Sequence, residues 1–124
     1  MIKITADDVK AGLTALVEQK GADYVYTSWM YGWGYRCTYV KDGEGDCGVG
    51  CYLINKGVPA SRLIEFDQQE YAVGAPSVLD ALRHEGVLDF EIEASDMLKN
   101  FQRYQDSGHT WGLALRKTLD KFNK

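Results

Sequence analysis

Apolar residues recur at Val9, Leu13, Leu16 and Val17, on one face of a helix. The preceding Thr5-Ala-Asp-Asp8 has the form of a capping box, in which a threonine hydroxyl and an acid at the third helical position satisfy backbone N–H groups reciprocally; Gly21 stops the helix. Ala22 to Thr27 alternates loosely with β-favouring Tyr and Val, and Tyr35 to Val40 favours a strand again. Between them the glycine-containing stretch Ser28 to Gly34 predicts a hairpin loop that carries Trp29, Tyr31 and Trp33. Lys41 to Asp46 is turn chemistry, and Asp46 is placed to cap a helix from Cys47 to about Lys56, closed by Gly57 and followed by Pro59.

The second half reads mainly as helix. A short helix is expected over Ala60 to Phe66, then an irregular stretch from Asp67 to Pro76, and Ser77-Val-Leu-Asp80 opens a further helix that Gly86 ends. Leu88, Phe90 and Ile92 alternate with Asp89, Glu91 and Glu93, the pattern of a half-buried strand with its acidic side to water. Ser95 opens a helix bearing Met97, Leu98, Phe101 and Tyr104, broken at Asp106-Ser-Gly108. A last helix from about Thr110 places Trp111, Leu115, Leu119 and Phe122 on one side. These elements predict one α+β domain, a small antiparallel sheet of two to three strands packed against five or six helices.

Composition narrows the class. The 124 residues are 45% hydrophobic, enough for a single core, and no apolar run approaches the length of a membrane span. Met1-Ile-Lys-Ile passes directly into the first helix start, without a charged segment leading an apolar one, which predicts an unexported, cytoplasmic protein. Net charge is −4, with the acids scattered along the chain. The last two helices have the form of a helix-turn-helix, but the second offers only Arg116, Lys117 and Lys121, so nucleic acid is not expected as the primary partner.

Chemistry concentrates between Tyr24 and Cys51. Seven of the fifteen aromatic residues lie from Tyr24 to Tyr39. Tyr24, Tyr26, Tyr35 and Tyr39 suit core or cross-strand positions, whereas Trp29, Tyr31 and Trp33 suit contact with a partner, with Tyr35 beside them. Gly48 and Gly50 weaken the first turn of their helix, by about 1 kcal/mol each relative to alanine. Close approach of another backbone explains them, or an anion received on free N–H groups. Cys37, Cys47 and Cys51 are an odd set spaced C-x9-C-x3-C, which fits a reducing compartment. Three thiolates could hold zinc in principle, but small buried cysteines are the reading adopted, with no metal and no cofactor. Asp42, Glu44 and Asp46 resemble half of a calcium loop, yet Leu53 stands where its bidentate Glu belongs. No phosphate-binding loop, nucleophile elbow or zinc-protease motif is present, and neither His84 nor His109 carries a sequence signal of pairing with a cysteine.

Cys37, Tyr39, Val40, Asp42, Gly43, Cys47, Val49, Gly50, Leu53, Gly57, Val58, Pro59 and Leu63 carry a pattern C-x-Y-V-x-D-G, cysteine, V-G-x-x-L-x-x-x-G-V-P-x-x-x-L. Gln105, Asp106, Gly108, Trp111, Gly112 and Ala114 carry Q-D-x-G-x-x-W-G-x-A. In both, the chain resembles a group of small proteins of unknown function from actinobacteria and their phages. Gly45-Asp46 stands where the group has Pro-Ser, and Cys51 lies outside the pattern. The resemblance implies no catalytic residues. It implies a phage-type accessory protein, in the host cytoplasm if phage-encoded, that binds a host or defence protein. A second reading is a small-molecule binder that sequesters a nucleotide between aromatic walls and the Gly48–Gly50 helix start, where homodimerisation would help enclose the ligand.

Overall fold

The computed structural model describes residues 2–26, 39–41, 44–67 and 75–122. In chain order the elements are β1 (Ile2–Ile4), α1 (Ala6–Lys20), β2 (Val40–Lys41), β3 (Glu44–Gly45), α2 (Gly48–Asn55), α3 (Ala60–Asp67), α4 (Ala75–His84), β4 (Leu88–Phe90), α5 (Ile92–Asp106) and α6 (Trp111–Phe122). Six helices and two short ladders give an α+β architecture among the described residues. No described helix is long and apolar enough to cross a membrane.

Helix α1 forms as its sequence dictates. Asp8 N–H donates to Thr5 Oγ1 at 3.1 Å and Thr5 N–H donates to Asp8 Oδ2 at 3.0 Å, so the box closes both ways. Val9, Leu13, Leu16 and Val17 are buried, and Gly21 ends the helix at φ 99°. Helix α5 is the hub, touching α1, α2, α4 and α6, and it buries Ala94, Met97, Leu98 and Phe101.

The strands depart from expectation. Among the described strands β2 and β3 pair antiparallel, Val40 with Gly45 and Lys41 with Glu44. The other ladder is parallel, joining β1 to β4 with Ile2 opposite Leu88 and Ile4 opposite Phe90. A parallel pair needs a long crossover, and here α1 through α4 supply it. Strand β4 stops at Phe90 because its partner stops. Glu91 N–H donates to Ile4 O at 3.0 Å, and the Glu91 carboxylate then accepts Ala6 N–H at 2.7 Å. Ile92, expected in the strand, is the first residue of α5 and is 78% exposed. Ser95 is therefore inside the helix and buried, its N–H already donating to Glu91 O.

Two other helix starts move. Helix α4 begins at Ala75, ahead of Ser77, with Pro76 in the first turn, where a missing N–H removes no intrahelical bond. Cys47, rather than Asp46, is the N-cap of α2. Residues 22–26 form no strand. Val25 makes one antiparallel bridge to Thr110, and the carbonyls of Ala22 and Tyr24 accept Gly112 N–H and Trp111 N–H at 2.9 and 2.8 Å. With Thr110 Oγ1 accepting Leu113 N–H, this segment closes the start of α6. Most of the expected hairpin, and most of the expected irregular stretch before Pro76, lie outside the described residues.

Candidate functional site

Trp29, Tyr31, Trp33 and Tyr35, together with Cys37 and Asp42, lie outside the described residues. What is described is the frame on either side of the aromatic run. Tyr24 sets its ring edge-on against Trp111, centroids 4.7 Å apart, and Trp111 meets Phe101 of α5 at 5.7 Å. Tyr26 is fully buried, and its hydroxyl donates to Asp46 Oδ2 at 3.0 Å. On the far side Tyr39 is buried, and Asp67 at the end of α3 accepts Tyr39 N–H and Val40 N–H, one on each carboxylate oxygen, both at 2.9 Å. Tyr39 O in turn accepts Asp46 N–H. The tyrosines that begin and end the run therefore serve the core, as their expected positions require.

Gly48 and Gly50 are buried in the first turn of α2. A Cβ on Gly48 would come 2.5 Å from Phe101 Cε1, and one on Gly50 would come 2.9 Å from both the carbonyl carbon and the Cα of Tyr39. Neighbouring groups occupy the space of a methyl, which is why glycine stands at both places. The N–H groups that an anion would need are already bonded. Gly48 N–H donates to Gln105 Oε1 at 2.7 Å, Val49 N–H to Gln102 Oε1 at 3.1 Å, and Gly50 N–H to Cys47 Sγ at 3.5 Å. Among the described residues the first-turn N–H groups of α2 are thus satisfied from inside the core, and packing accounts for Gly48 and Gly50 without an anion. Sequence reading passed over Gln102 and took Gln105 only as a letter of the Q-D-x-G pattern, with no role for either. Their signal was available, as polar residues on the face of α5 that also carries Leu98 and Phe101.

Cys47 and Cys51 are free and buried. Cys51 Sγ donates to Asp46 O at 3.6 Å, and burial, then the neighbouring Cys47, pushes its pKa up to about 11. A thiol that stays protonated near neutrality is a poor nucleophile. Burial also raises the Asp106 carboxyl, which accepts Gln105 Nε2–H at 2.9 Å. His84 is exposed at the end of α4, and His109 packs edge-on against Tyr104 with centroids 5.4 Å apart. Among the described residues no three metal-ligating side chains cluster.

Comparison with protein-family models, with curated proteins and with solved structures finds no match to this chain.

Proposed function

We propose that this protein is a phage-type accessory protein that acts by binding a host or anti-phage defence protein in the host cytoplasm, and not by catalysis. The observation that carries the reading is the fastening of the aromatic run at both ends. Twelve residues separate Tyr26 from Tyr39, and they include Trp29, Tyr31, Trp33 and Tyr35. One side is tied through the Tyr26 hydroxyl to Asp46 and the other through Tyr39 N–H and Val40 N–H to Asp67. Fixed ends lower the ordering cost of a contact segment, and tryptophan and tyrosine are the residue types that dominate interface energies. The sequence resemblance to small actinobacterial and phage proteins supports the same reading.

The test is pull-down from host lysate with mass spectrometry, then repetition with the partner purified and with Trp29 and Trp33 both changed to alanine. Capture should be abolished while the far-UV circular dichroism stays that of the parent. Capture that survives the double substitution removes the contact surface from this segment.

A further inference from the structure

A cleft of about 350 Å³ lies between α1 and α2, lined by Asp8, Ala11, Gly12 and Ala15 on one side and Tyr52, Asn55 and Lys56 on the other. The spacing is helical on both sides, so a single face of each helix forms the walls. Small residues on α1 let the Tyr52 ring come close to it: a Cβ on Gly12 would come 2.5 Å from Tyr52 Cε2. Tyr52 is 1% exposed, and its hydroxyl has no hydrogen-bond partner among the described residues. A phenylalanine would pack the same ring without stranding a hydroxyl, so the oxygen is unexplained by packing. The hydroxyl lies close enough to Asp8 for that charge, after burial, to help keep it protonated. Opposite charges stand beside it. Lys56 Nζ is 3.7 Å from Asp8 Oδ1 and 5.9 Å from the centre of the Tyr52 ring. Asp8 Oδ2 is held by Thr5 N–H, which leaves Oδ1 as the oxygen that can change partners.

We infer that this cleft binds a small zwitterion of the amino-acid type, with its ammonium on Asp8 Oδ1, its carboxylate on Lys56 Nζ and a hydrogen-bonding group on the Tyr52 hydroxyl. A ligand with one charge would pair with only one of Asp8 and Lys56; a zwitterion inserts between them and pairs with both. The volume, near the lower end of the range for small-ligand pockets, suits a molecule of that size. The site lies apart from the aromatic run, so it stands or falls independently of the function proposed above.

The test is thermal shift and ligand-observed NMR on the full chain with a panel of free L-amino acids, each beside its N-acetyl and methyl-ester forms. At least one free amino acid should bind at millimolar concentration or tighter, with neither blocked form replacing it. Tyr52→Phe, which keeps the ring and loses the orphan hydroxyl, should weaken binding about tenfold, the effect of one hydrogen bond. Lys56→Met should weaken it by at least as much. Both variants should melt no lower than about where the parent does without ligand. No binding by any free amino acid overturns the assignment, as does equal binding of an ester or N-acetyl form. Unchanged affinity in both variants moves the site elsewhere.

Discussion

At Gly50 two opposing effects can be weighed. Alanine is the better helix former by about 1 kcal/mol. Its methyl would press on the backbone of Tyr39, which cannot swing aside as a side chain can. Overpacking of this kind costs typically about 1–3 kcal/mol, so after the gain in propensity Gly50→Ala should destabilise the protein by about 1 kcal/mol net and by no more than about 2. Gly86→Ala is the control: φ is +78° there and nothing lies within 4 Å of the added methyl, so only backbone strain of about 1 kcal/mol opposes it. Urea denaturation of both variants decides the matter, and a Gly50→Ala protein as stable as its parent would refute the close approach. Cys51 supplies a pH dependence. Its folded pKa of about 11 lies above the ordinary thiol value of 9.0. The protonated thiol is the form the fold favours, so its contribution is fully present below about pH 9 and is lost as pH rises toward about 11. The midpoint of urea unfolding should fall through that window, and less steeply in Cys51→Ala, where any remaining fall comes from other groups such as Tyr52.

At the scale of the element, α2 depends on α5 for its first turn. Gln105→Leu would leave Gly48 N–H buried and unpaired, at a cost of about 1–3 kcal/mol. Amide exchange at Gly48 should accelerate beyond the global change, whereas exchange that follows global stability alone would mean that water replaces the glutamine. Helix α1 and strand β1 also show what was legible beforehand. The signals that mark α1 in the sequence, from the Thr5–Asp8 box to Gly21, are local, and it formed as the pattern dictates; the Glu91 carboxylate on Ala6 N–H comes from afar. Strand β1 has three residues and no pattern of its own; its reason for existing is Leu88–Phe90, far along the chain. The same partnership shortened β4 and turned Ile92 into a helix start. The candidate site divides likewise. Tyr26 and Tyr39 were readable as core from their place in the run, but Asp46, Asp67, Gln102 and Gln105 carry roles that only tertiary neighbours define. The α1–α2 cleft was not legible at all, because Asp8 reads as a capping acid and Tyr52 and Lys56 as ordinary helix residues until the two helices meet.

For the whole molecule, the parallel β1–β4 pair ties Ile2–Ile4 into the fold. Ile4 is 1% exposed, pairs with Phe90, and its carbonyl accepts the N–H of Glu91 at the entry to α5. Glu91 in turn holds Ala6 N–H at the entry to α1. The starts of the two longest helices are thus joined through one short ladder, and α6 is joined to the end of α1 by the bonds from Ala22 and Tyr24. A fold tied in this way should unfold as a unit, as most domains of this size do. Ile4→Ala removes about 2–5 kcal/mol, a large share of the roughly 5–15 kcal/mol available to a natural domain. That loss should be uniform: the protection of slowly exchanging amides at Val9 in α1, Phe101 in α5 and Ala114 in α6 should fall by the same factor. A fall confined to Ala6–Val9 and the first turn of α5 would instead show that the β1–β4 ladder opens by itself, and that the helical core around α5 stands without it.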